Sequence, residues 1–123
     1  MMSSLLRLAP LALLALGAFG CSSYDQTDFN FRTAPPVPVS ITNDHFTVTE
    51  GISVGFIAIP MDGAEEMEGD FRLETSDSTI LGIARGTAER SFVVWGVSPG
   101  MTTVRVRLDG KVEAQIPATV LAQ

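Results

Sequence analysis

Apolar and polar residues alternate in short runs from residue 39 to the C terminus, and no stretch repeats at the spacing of a helix face. A period of two puts successive side chains on opposite sides of an extended chain. Each run therefore predicts a strand, and strict alternation predicts one half buried in an antiparallel sheet. The runs fall at residues 39–41, 45–48, 53–59, 71–75, 80–84, 92–97, 103–108 and 112–120. The plainest is Thr103-Val-Arg-Val-Arg-Leu108, with Val104, Val106 and Leu108 on one face and Thr103, Arg105 and Arg107 on the other. Asn43-Asp44, Glu50-Gly51, Pro60 and Asp109-Gly110 punctuate the series. Asp-Gly between two alternating runs predicts a two-residue hairpin, since both positions need φ above zero, which Asp tolerates and Gly adopts freely. Pro117 has no N–H for a ladder and predicts an edge or a bulge, and Gly55 predicts a bulge or a close approach of backbone. About seven antiparallel strands without helices predict an all-β sandwich.

The chain before residue 39 follows other rules. Residues 22–38 show no usable period, and Pro35, Pro36 and Pro38 stiffen their far end toward polyproline II. The segment reads as a tether, with a reach on the order of 55 Å when extended. Phe29 and Phe31 read as a loose aromatic pair leaning on the domain or on a bilayer interface. Further upstream, Arg7 precedes an uncharged apolar run at residues 8–19, then Gly20 and Cys21, the single cysteine. A basic residue, a short apolar run and a small residue before a break form an export signal. The run is short of the roughly 20 residues that cross a bilayer as a helix.

A cysteine at that break makes the segment resemble a bacterial lipoprotein precursor. Gly20 and Cys21 fit the lipobox pattern, while Ala18 and Phe19 stand where Leu and a small residue are usual. The resemblance implies cleavage after Gly20, a diacylglycerol on the Cys21 sulfur and a third chain on the new amine. Two or more chains anchor stably where one does not. Ser22 differs from the Asp that retains lipoproteins in the inner membrane of enteric bacteria, which favours the outer membrane, on its periplasmic or surface face. The expected organisation is a signal peptide at 1–20, an acylated cysteine and tether at 21–38, and a domain at 39–123.

Charge narrows the partners. The whole chain carries eight basic and fourteen acidic side chains; without Arg7 the exported part has net charge −7. That excludes nucleic acid and a polybasic grip on anionic lipid. With Cys21 acylated no thiol remains for a disulfide, so packing alone must hold the domain.

Three stretches resemble a bacterial immunoglobulin-like domain of group 2, the class repeated in invasin and intimin ectodomains. They are Thr49-Glu-Gly-Ile-Ser-Val-Gly-Phe-Ile-Ala-Ile-Pro60, Leu73-Glu-Thr-Ser-Asp-Ser-Thr-Ile-Leu-Gly-Ile83, and Val93-Val-Trp-Gly-Val-Ser-Pro-Gly-Met-Thr-Thr-Val-Arg-Val106. Leu73 replaces the family's usual Trp, and Trp95 falls where Thr is common. The resemblance implies an immunoglobulin-like β-sandwich acting as a non-enzymatic protein-binding or structural module, with another envelope protein as partner. The alternative is a calcium- or glycan-dependent adhesion module at the cell surface.

Candidate chemistry is sparse. His45 is the single histidine, so neither a multi-histidine zinc cage nor a Ser/His/Asp triad with a second base can be assembled. It reads as a surface residue, and no cofactor is expected. Residues 62–70 hold five carboxylates, Asp62, Glu65, Glu66, Glu68 and Asp70. They read first as a solvated, self-repelling loop and second as oxygen ligands for Ca²⁺. In Phe92-Val-Val-Trp95, core or rim packing of Trp95 is the first reading. If Val94 faces inward, Trp95 lies outside and is a candidate partner anchor.

Overall fold

The computed structural model describes residues 23–32, 34–35 and 38–123, and every element in them is a strand. The signal segment, Cys21, Ser22, Thr33, Pro36 and Val37 lie outside the described residues. One sheet runs β1 (Gln26–Phe31), β4 (Ser53–Asp62), β8 (Ser91–Gly96), β7 (Leu81–Arg85), with the short β5 (Glu65–Glu66) folded back on β4. The other runs β2 (Ser40–Ile41), β3 (Phe46–Thr49), β10 (Lys111–Leu121), β9 (Gly100–Leu108), β6 (Phe71–Thr75). All pairings are antiparallel except β3 with β10. In chain order, β1, β4, β8 and β7 take the A-B-E-D places of an immunoglobulin-like sandwich, and β6, β9 and β10 take C-F-G. The sandwich expected from alternation is the fold observed.

The inward faces make one core. Phe46, Phe56, Phe71, Val94, Val104 and Val106 are fully buried. Five phenylalanines form a chain across the interior, Phe29–Phe46–Phe56–Phe92–Phe71, with successive ring centroids 5.3 to 6.2 Å apart. Such contacts add about 0.5–1.5 kcal/mol each beyond the area they bury.

The N-terminal part of the expected tether is a strand. Gln26–Phe31 pairs with β4 along its whole length, from Gln26 opposite Met61 to Phe31 opposite Phe56. Thr27 and Phe29 turn inward while Gln26, Asp28 and Asn30 face out. Phe29 packs edge-on against Phe46 and Phe56, whereas Phe31 is exposed.

Pro60 does not close its strand: β4 continues to Asp62. Thr27, opposite Pro60, sends its own N–H and C=O the other way, to Asn43, so no ladder bond on that side needs a proline N–H. On its far side Pro60 offers its carbonyl to the Met67 N–H at 2.8 Å. Pro117 obeys the same logic. It lies opposite Thr103, whose carbonyl is committed to Ser76 of the segment after β6, and the β3 pairing starts only at Ala118. It is an edge position, and the bulge of β10 falls between Val112 and Ala114. Gly55 stays in register opposite Val93 with space around it, so neither a bulge nor a close approach accounts for it. Asp109 and Gly110 have φ of 53° and 82°, as the hairpin requires.

Candidate interaction surfaces

The two outer faces of the sandwich differ in kind. In β4 and β8, Val54, Phe56, Ala58 and Val94 point inward and are buried. Their neighbours Ile57, Ile59, Met61, Val93 and Trp95 therefore face outward, each half-buried by its flanking strands. Register places Trp95 between Ser53 and Gly82, and Val93 between Gly55 and Ala84. The indole lies against the backbone of Gly82, where any Cβ would overlap its ring. Val94 takes the core position, so Trp95 lies on the outer side, where its indole is packed, half-buried, on Gly82. There it forms the upper part of an apolar outer stripe.

The outer face of the second sheet is charged. Arg72 stands directly opposite Arg107, and Glu74 opposite Arg105. Arg107 Nε donates to Glu74 Oε1 at 2.6 Å, and Arg105 Nε lies 3.6 Å from the same oxygen. The Arg107 hydrogen bond holds the Glu74 carboxyl below its ordinary value, with the charges of Arg107 and Arg105 adding to it. Arg72 turns from the like charge opposite it to Asp70, at 3.0 Å.

The acidic loop is fastened at its base. Asp70 N–H donates to Asp109 Oδ1 at 2.9 Å, and Asp109 N–H returns a bond to the Asp70 carbonyl at 2.8 Å. Arg90, at φ 62°, lays its guanidinium over the Phe71 ring at 5.4 Å and donates to the Met67 carbonyl at 2.9 Å. Asp62, Glu65, Glu66, Glu68 and Asp70 are all exposed. Among the described residues no three His, Cys, Asp or Glu side chains are grouped to hold a metal ion. The candidate calcium ligands are thus not brought together. His45 is half-buried on the rim of the second sheet, where its Nε2 is 2.8 Å from Thr119 Oγ1.

A fourth feature escaped sequence reasoning. Asn43, read as a turn residue, offers its carboxamide to β1 as a further strand would. Thr27 N–H donates to Asn43 Oδ1 at 2.9 Å, and Asn43 Nδ2 donates to the Thr27 carbonyl at 2.7 Å. Asp25 N–H bonds the Met61 carbonyl at 2.8 Å, and the Tyr24 hydroxyl lies 2.7 Å from Thr27 Oγ1. Burial raises the Tyr24 hydroxyl above its ordinary value. The signal available beforehand was the alternation of Thr27, Phe29 and Phe31 with polar neighbours.

The chain is similar in fold to domains of an S-layer protein. Domains 4 and 5 of S-layer protein SbsC superpose with a TM-score of 0.54 at 16% identity, covering 77% of this chain and 54% of that one. Domains 5–6 give 0.53 at 13%, over 80% and 44% of the two chains. The longer rSbsC(31-844) gives 0.51 at 14%, over 80% and 13%. This chain thus spans about half the length of the shorter structures it matches. At such identities the likeness is one of fold. No protein-family model and no curated protein matches the chain.

Proposed function

We propose that this protein is a bacterial envelope lipoprotein, anchored through acyl chains on Cys21, whose sandwich is a non-enzymatic protein-binding or structural module. The observation that carries the reading is the likeness in fold to domains of an S-layer protein, joined to an export signal that ends at a cysteine. Ser22 favours the outer membrane. The outer stripe of the first sheet is the surface by which it engages another envelope protein, with Trp95 as anchor; buried aromatic anchors dominate the energetics of such contacts. Crosslinking in cells followed by mass spectrometry tests this. The native protein should crosslink to one envelope protein in stoichiometric yield, and Trp95→Ala should lose most of that product while folding normally. A product unchanged by Trp95→Ala removes the stripe from the interface, and no envelope partner at all removes the binding role.

A further inference from the structure

Where the folded body begins fixes how it sits. From Tyr24 onward the N terminus is held: the Tyr24 hydroxyl is beside Thr27, Asp25 is bonded to Met61, and both backbone groups of Thr27 are bonded to Asn43. Cys21 precedes Asp25 by four residues. Whatever path they take, four residues reach no farther than about 14 Å, against the on the order of 55 Å that a free segment to residue 38 would allow. Their attachment point is also at one end of the sandwich. Met61 is the second-to-last residue of β4, paired with Glu66 of β5; Ala58 N–H bonds the Arg90 carbonyl, so residues 86–90 share that end. Asp109 is bonded to Asp70, which brings the β9–β10 turn there too.

We propose that this acidic end is the face turned to the lipid bilayer, held close to the headgroups on a leash of a few residues. The opposite end, where Val97, Met101 and Leu121 are exposed, points away from the membrane. The inference rests on the lipoprotein reading and adds an orientation to it. The charge of the membrane-facing end determines the kind of contact. Asp62, Glu65, Glu66 and Glu68 are exposed there, and anionic headgroups within a Debye length, about 8 Å at physiological ionic strength, repel them. The acyl chains overcome that repulsion, each buried CH₂ contributing about 0.8 kcal/mol. The body is thus kept near the surface covalently and kept off it electrostatically, with its apolar stripe and far end free for protein partners.

The test uses the full chain, processed in cells, with intact mass reporting acylation. Once Cys21 is acylated, a cysteine introduced at Ala64→Cys (hairpin tip) or Met101→Cys (far end) is the one thiol to label. Fluorophores at these sites are read in phosphatidylcholine vesicles containing headgroup-linked nitroxide lipid. Quenching at position 64 should exceed that at 101 several-fold. Inserting ten Gly/Ser residues between Ser23 and Tyr24 should abolish the difference. If the mass shows acylation and the two positions quench equally, or 101 quenches more, the orientation is wrong and the lipoprotein reading stands. A mass without acyl chains overturns both.

Discussion

Glu74 is the carboxylate on which the charged face of the second sheet is balanced. Because Arg107 and Arg105 hold its carboxyl below the ordinary value of about 4.5, the unfolded chain takes up that proton first as the solution is acidified. The stability it contributes is therefore complete above about pH 4.5 and lost as pH falls through the lower folded value. Its side chain is 37% exposed, so solvent screening keeps the contribution below about 1 kcal/mol. Glu74→Gln should flatten the acid limb of the melting temperature against pH, lowering that temperature slightly at pH 7, where the contribution is complete, and changing little at the acid end, where Glu74 is itself protonated. At Gly82, a valine would displace the Trp95 indole; a loss of about 1–3 kcal/mol, of the order of overpacking, should appear in urea melts with a red-shifted Trp emission. Sequence did not decide the side on which Trp95 lies, because Phe92-Val-Val-Trp95 is apolar on both faces and alternation separates only unlike neighbours.

Among the elements, the later strands were legible and the first was not, for a physical reason. β6, β9 and β10 each set one apolar row against one polar row, and Asp109-Gly110 meets a backbone demand few other pairs meet. β1 presents Gln26, Asp28 and Asn30 outward, residues poor in strand propensity, and its buried row opens with Thr27. It is a strand because β4 offers a ladder and Asn43 closes the outer edge, facts of tertiary structure. Pro60 misled in the opposite sense, since its missing donor falls where no ladder bond is wanted. If β1 belongs to the core, Phe29→Ala should cost about 3 kcal/mol, near the low end for losing a packed aromatic ring. Chemical denaturation measures it, and a loss under about 0.5 kcal/mol, the size of an ordinary surface change, would return the segment to the tether.

For the molecule as a whole, the composition gave the sum of its charges but not their distribution. The hairpin end is acidic, the second sheet balances arginines against Glu74, and the first sheet's outer stripe is nearly uncharged; none of this is visible before strands from distant parts of the chain are set side by side. Since the loop carboxylates do not converge, millimolar calcium should leave the melting temperature unchanged, and a rise of several degrees would show that they rearrange around the ion. The Asn43 clamp bears on how the molecule ages. Deamidation would exchange the amide that donates to the Thr27 carbonyl for an oxygen that repels it, while leaving the Thr27 N–H satisfied. Asn43→Asp mimics that product and should speed hydrogen exchange along β1. Spontaneous hydrolysis of one side chain would then work as a slow clock, loosening in an old molecule the strand edge that a freshly made one holds closed.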